Sequence, residues 1–312
     1  VVLNGTPVAT YSSKDVGTSI PVNFSGLSLS GTSAGNYSLV MQGATSANIT
    51  PKTLTVQGVT VPSSKIYDGT TSATLTGTPS LGTGAVNALD GLVFTGDAVA
   101  LSGTVTGVYN SANVASATTV NFTSNLTLTG AKASDYVLAT IAPVAATIRP
   151  LAITVTASVA NRAYNGLVAA TPVLTTANST ALSDLTTSSV LAINYSSATF
   201  PSKNAGTGLL VTVSGISLTG TAATNYIVNN SASTTATITP LALTITPTAS
   251  NKTFDGTNTA SVTLANNAIA GDVVNVSYSG ATFASANVAI SNGSVTSQTV
   301  TVSGLTLTGG DA

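Results

Sequence analysis

Apolar and hydroxyl-bearing residues alternate along most of this chain. "AVALSGTVTG" (98–107), "VNFTSNLTLTG" (120–130), "LAITVTASV" (151–159) and "LLVTVSGISLTG" (209–220) each send apolar side chains to one face and Ser, Thr or Asn to the other. A period of two is the mark of a strand with one buried face. Helical period is hard to find, and the strong exposed-helix formers Glu, Gln, Lys and Arg total eleven residues. Short strands punctuated by Gly, Asn and Asp, about seven per 90 residues, predict an all-β chain of immunoglobulin-like β-sandwiches. Elongated β-grasp-like modules are the alternative.

The strands recur on a fixed ruler. "ANITPKTLTV", "ATIRPLAITV" and "ATITPLALTI" place prolines at 51, 150 and 240, intervals of 99 and 90 residues. "SGLSLSG", "SNLTLTG", "SGISLTG" and "SGLTLTG" end at Gly31, Gly130, Gly220 and Gly309, intervals of 99, 90 and 89. A period this long excludes the short rungs of a β-helix and predicts tandem domains. The expected division is 1–50 (the C-terminal part of a repeat), 51–149 and 150–239 (complete repeats) and 240–312 (an N-terminal part). A single Pro joins one domain to the next and restricts both its own φ and its predecessor. The domains are therefore expected to stack as a linear rod, each adding roughly 35 to 45 Å. Chain length varies most near residues 78–95, 172–188 and 262–270, where surface loops are expected.

Ten of the fifteen aromatic residues fall into three repeat columns. "KIYDGT", "RAYNGL" and "KTFDGT" carry Tyr67-Asp68-Gly69, Tyr164-Asn165-Gly166 and Phe254-Asp255-Gly256. "ATYSSKDV" and its counterparts carry Tyr11, Tyr109, Phe200 and Phe283. A Gly-x-x-Ala-x-[Asn/Asp]-Tyr pattern carries Tyr37, Tyr136 and Tyr226, and predicts a tyrosine corner whose ring covers the core and whose hydroxyl bonds back to nearby backbone. The Tyr-Asp-Gly column reads as a turn: an aromatic anchor, an Asx hydrogen bond and a Gly at positive φ. Asn165 for Asp and Phe254 for Tyr preserve that turn, whereas acid or tyrosyl chemistry would not survive them.

Composition removes most chemistry. The chain has eight cations, nine anions that are all Asp, and no Glu, His, Cys or Trp, while Ser and Thr fill 95 positions. General bases, thiol nucleophiles and the usual metal ligands are thus missing apart from Asp, Lys and Tyr. No catalytic residue, metal or cofactor is expected. The junction segments around Pro150 and Pro240 lack an acid for Ca²⁺. Lys14 and Lys203 alternate with Ala112 and Ala286, which argues against a lysine-asparagine cross-link in every copy. A net charge of −1 without a basic cluster gives no counterion-release term for nucleic acid. No apolar run reaches the roughly 18 residues of a membrane helix. Val1 is preceded by no Met or leader, so the chain reads as a segment of a longer protein. Tyr195 and Tyr278 are the tyrosines left over for carbohydrate stacking.

The segments "KIYDGT", "KTFDGT", "SGLTLTG", "AATNY" and "ATITPLALTI" resemble the YDG and MBG repeats of very large bacterial surface proteins, over essentially the whole chain. That resemblance implies a stalk within a filamentous-haemagglutinin-like adhesin exported by two-partner secretion, of the biofilm-matrix type. It implies a secreted, cell-surface or matrix location and no enzymatic activity. The expected partners are neighbouring repeats, with other adhesin copies or exopolysaccharide beyond them; direct polysaccharide binding through the variable loops is the alternative function.

Overall fold

A computed structural model describes residues 1–41, 43, 45–85 and 89–311. Strand accounts for 46% of the chain and helix for 5%, so the fold is all-β, as the alternation requires. The sheets are small, of two to four strands. The chain divides into two compact units, Val1–Ala152 with Thr224–Ile227, and Ile153–Ala223 with Val228–Ala312.

Every repeat is built on a long hairpin that bends once. In the first unit one arm comprises Ala100–Ser102 and Val105–Tyr109, and the other comprises Thr119–Ser124 and Thr127–Thr129. Leu101 faces Leu128 and Tyr109 faces Val120 across it. Val2–Asn4 and Val8–Tyr11 pair in the same way with Ser28–Ser30 and Gly17–Ser25. The bend explains the inner glycine of the "SGLSLSG" motif. Gly5 (φ +97°) and Gly26 (φ +84°) meet there, and a Cβ on Gly5 would lie 1.9 Å from the Gly26 carbonyl oxygen. At the equivalent place in repeat two Asn125 replaces the glycine, and its Oδ1 accepts from the Thr104 N–H at 2.6 Å.

Parallel pairs close each complete repeat. In repeat two Lys52–Leu54 lies parallel to Tyr136–Leu138, and Ser64–Ile66 lies parallel to Thr147–Arg149. The first segments of the repeat are thereby tied to its last. A four-stranded sheet runs Val144–Ala145, Thr119–Ser124, Val105–Tyr109, Ser72–Ala73. Outside that sheet, Leu54, Val93 and Tyr136 form a buried cluster ringed by Leu81, Phe94, Val99, Leu128 and Leu138.

The second unit repeats this plan. Arg162–Ala163, Ser231–Thr239, Gly206–Ser214 and Ser197–Thr199 make its four-stranded sheet. Its cores comprise Val155, Ala198, Val213 and Ile216, then Phe200, Val211, Ala236 and Ile238, and in repeat four Ala260, Val262 and Ala281.

The segments expected to be loops contain more order than that. Pro172–Thr176 is a strand paired with Val155–Val159, and Val262–Asn266 pairs with Ile245–Ala249. Length varies after these strands, and repeat four also inserts a short hairpin, Ile290–Ser291 with Ser294–Val295, between Phe283 and Gly309. Repeat three spends its extra residues on a helix, Ser179–Asp184, capped by Asn178, whose Oδ1 accepts from the Ala181 N–H at 3.0 Å. In repeat two Thr83–Gly84 pairs in parallel with Val93–Phe94, and residues 86–88 lie outside the described residues.

Candidate functional site

The Tyr-Asp-Gly column is a closed hydrogen-bonded turn. Asp68 Oδ1 accepts from the Thr70 N–H and the Thr70 hydroxyl, both at 2.9 Å, and from Lys65 Nζ at 2.8 Å. Lys65 Nζ also donates to the carbonyls of Thr70 and Ser72, at 2.9 and 3.0 Å. Burial acts to raise the Asp68 carboxyl, but the Lys65 ammonium and the two Thr70 donors outweigh it and hold the group below the usual carboxylate range. Gly69, Gly166 and Gly256 have φ of +78°, +76° and +78°. Lys252 and Asp255 repeat the arrangement at 2.8 Å, with Thr257 in place of Thr70.

Repeat three changes three residues together. Arg162 donates to Asn165 Oδ1 and to the Leu167 carbonyl, while Asn165 accepts from the Leu167 N–H at 3.1 Å. Leu167 has no hydroxyl to offer, and Arg162 Nε is buried without a hydrogen-bond partner.

The basic residue of this turn also joins two of the columns. Lys65 Nζ stands 5.4 Å from the centre of the Tyr109 ring, Arg162 lies 4.9 Å from Phe200, and Lys252 Nζ 5.8 Å from Phe283. These are cation–π distances. The hydrogen bonds of Lys65, Asp68 and Thr70 close the turn itself.

The corner tyrosine behaves differently from expectation. Tyr136 is buried, but its hydroxyl donates to Asp97 Oδ2 at 2.6 Å and accepts from the Phe94 N–H at 3.2 Å, some forty residues away in the chain. Burial and the Asp97 bond both raise its pKa. The ring starts the strand that runs beside Lys52–Leu54, so its hydroxyl emerges at the Phe94–Asp97 segment and not at its own backbone.

Residues that recur also meet the following repeat. Within the first unit the Val16 N–H donates to Asp135 Oδ1 at 2.9 Å, and Lys132 pairs with Asp15. Thr224–Ile227 belongs to the same unit, and there the Val114 N–H donates to Asn225 Oδ1 at 2.9 Å while Asn225 Nδ2 donates to Asn113 Oδ1 at 3.1 Å. Asn225 is fully buried. The two contacts are one contact: the Asn/Asp before the corner tyrosine accepts from the fifth residue after the hairpin aromatic of the preceding repeat. Tyr67 packs edge-on against Tyr226, ring centres 5.3 Å apart. Within the second unit the Tyr164 hydroxyl lies 2.9 and 2.8 Å from the two oxygens of Asp272, and Lys203 Nζ bonds Asp272 Oδ1 at 2.6 Å. The Lys203 ammonium and the Tyr164 hydroxyl hold Asp272 below the usual carboxylate range.

The tyrosine expected to anchor its own turn is therefore a junction residue as well. Asp97 and Asp272 escaped sequence reasoning, although the recurring Gly-Asp pairs at 96–97 and 271–272 carried the signal. Tyr109 and Phe200 are buried, whereas Tyr11, Tyr37 and Phe254 are exposed. Tyr278 is committed to structure: its hydroxyl accepts from the Val262 N–H at 3.2 Å and its ring packs on the repeat-four core. Tyr195 is exposed. Among the described residues no three His, Cys, Asp or Glu gather as metal ligands, and no helix is long and apolar enough to cross a membrane.

These features define an all-β tandem-repeat protein whose recurring polar residues make turns and joints. The YDG domain family matches it four times, over residues 1–47, 50–143, 147–236 and 239–312, and the chain belongs to that family. No curated protein and no solved structure matches it.

Proposed function

We propose that this chain is a stalk segment of a secreted bacterial adhesin, which extends an adhesive region from the cell surface for cell–cell or biofilm-matrix attachment. The observation that carries the reading is where the recurring side chains go. Lys65, Asp68 and Thr70 build a turn, and Asn225, Asp135 and Tyr67 join one repeat to the next. A residue set spent on shape and connection suits a protein whose work is mechanical. The adhesin context and the extracellular location rest on the resemblance to repeats of large surface proteins.

Solution scattering of the purified chain together with glycan-array binding tests this. The stalk reading expects an elongated particle that grows by roughly 35 to 45 Å per repeat, from strands of about ten residues plus end loops, and no glycan retained. Specific retention of a matrix polysaccharide by the chain would transfer the function to the repeats themselves.

A further inference from the structure

We propose that the hairpin-end turn of each YDG repeat is a selective receptor for the repeat that follows it, in two types that do not interchange. In the charged type a turn lysine faces an aspartate of the next repeat. In the neutral type alanine replaces the lysine and serine the aspartate.

The backbone register aligns the positions. Lys132 N–H donates to the Ala98 carbonyl, Ala222 N–H to Val190 and Asp311 N–H to Val273, at 3.2, 2.8 and 3.3 Å. Asp97, Ser189 and Asp272, each one residue earlier, therefore occupy a single site in repeats two, three and four. The turn that precedes each carries Lys14, Ala112 and Lys203 in that order. Lysine goes with aspartate twice and alanine with serine once.

The geometry gives the pairing its physical reason. Lys203 Nζ reaches Asp272 at 2.6 Å, and the Asp272 side chain is only 7% exposed. Lys14 and Asp97 line one cavity of about 270 Å³, which they share with Asp15, Lys132 and Asp135. At the neighbouring position Asp15 pairs with Lys132 beside the first lysine and Asn113 with Asn225 beside the alanine; the third turn carries Asn204 there, and its second charged contact is made by Lys203 itself, which reaches Asp311 at 3.4 Å. An alanine turn set against Asp272 would leave a carboxylate desolvated without its cation, which is the costly arrangement. A lysine set against the serine site would strand the opposite charge. Repeat order is thus written into the junctions, and Ala286 marks the repeat-four turn as a receptor of the neutral type. The inference stands whatever an array of such repeats carries.

The chain has no cysteine, so Thr235→Cys and Thr301→Cys, on exposed strand positions of repeats three and four, take spin labels without background. Electron–electron distance measurements on the full chain then read the stiffness of that junction. The native pair is expected to give a narrow distribution. Lys203→Ala and Asp272→Ser are each expected to broaden it at least twofold, and the combination Lys203→Ala with Asp272→Ser, which recreates the neutral type, to bring it back to the native width. Should Lys203→Ala instead unfold the second unit, recovery of the native circular dichroism spectrum by the combined variant is the expected result. A single variant as narrow as native, or a combined variant no better than the singles, overturns the proposal.

Discussion

Repeats two and four contain nearly the same hexapeptide, yet their aromatic rings end in opposite surroundings. Lys65–Asp68 and Lys252–Asp255 are both 2.8 Å apart, and Thr70 and Thr257 close the two turns alike. Tyr67 is 7% exposed, while Phe254 is 60% exposed. In repeat two the residues ahead of the ring lie in a strand, Ser64–Ile66, held parallel to Thr147–Arg149, and the ring is covered by Tyr226. Lys252–Phe254 lies in no strand, and no described residue plays the part of Tyr226. The contrast separates two layers of folding. The polar turn is made by residues two to seven apart and forms on its own chemistry, whereas burial of the aromatic requires strands that arrive much later in the chain.

The largest expected consequence falls on the rings. Tyr67→Ala should destabilise the first unit by about 3–5 kcal/mol, the range for removal of a large buried aromatic. Phe254→Ala should stay within about 0.5 kcal/mol, as for an exposed site. Urea denaturation of the full chain followed by hydrogen exchange, which assigns the loss to a unit, measures both; equal losses would break the comparison.

The turns themselves should respond alike. Gly69→Ala and Gly256→Ala each force a Cβ into the left-handed region, at a cost of about 1–2 kcal/mol. A Cβ on Gly256 would meet nothing within 4 Å, so backbone strain is the whole effect there. The same denaturation experiment reads it. A loss at Gly69 far above that at Gly256 would mean that the turn depends on its tertiary surroundings.

Acid should act on the turn more gently and at a defined place. Lys252 and the Thr257 donors lower the Asp255 carboxyl to about 2. An unfolded Asp titrates near 3.9. A folded-state pKa below the unfolded value gives stabilisation that is complete above about pH 4 and lost as the pH falls toward 2. The Thr257 N–H is therefore expected to keep its exchange protection at pH 4 and to lose it near pH 2. Loss already between pH 5 and 6 would show that the carboxylate is not held in this way.

This division also explains what the sequence revealed. The Asx hydrogen bond, the glycines at positive φ and the strand alternation of "VNFTSNLTLTG" are local, so residue types and spacing betrayed them. The junctions were not legible from one repeat alone. Val114 and Asn225 are 111 residues apart, and Tyr164 and Asp272 are 108 apart, so each repeat shows half of a pair. For the same reason the corner hydroxyl, expected at its own nearby backbone, has its partners at Phe94 and Asp97. Helix Ser179–Asp184 was missed because six residues are too few to display a period, although Asn178 offered a cap.

The central claim is that recurring side chains build and join the repeats, and amide exchange at Val16 and Val114 in the intact chain addresses it most directly. Both amides should be protected in the native protein. Asn225→Ala should release Val114 alone and Asp135→Ala should release Val16 alone, each by on the order of tenfold or more, as for a buried N–H left without its acceptor. Rapid exchange at both positions in the native chain, or protection that survives both substitutions, would contradict the account.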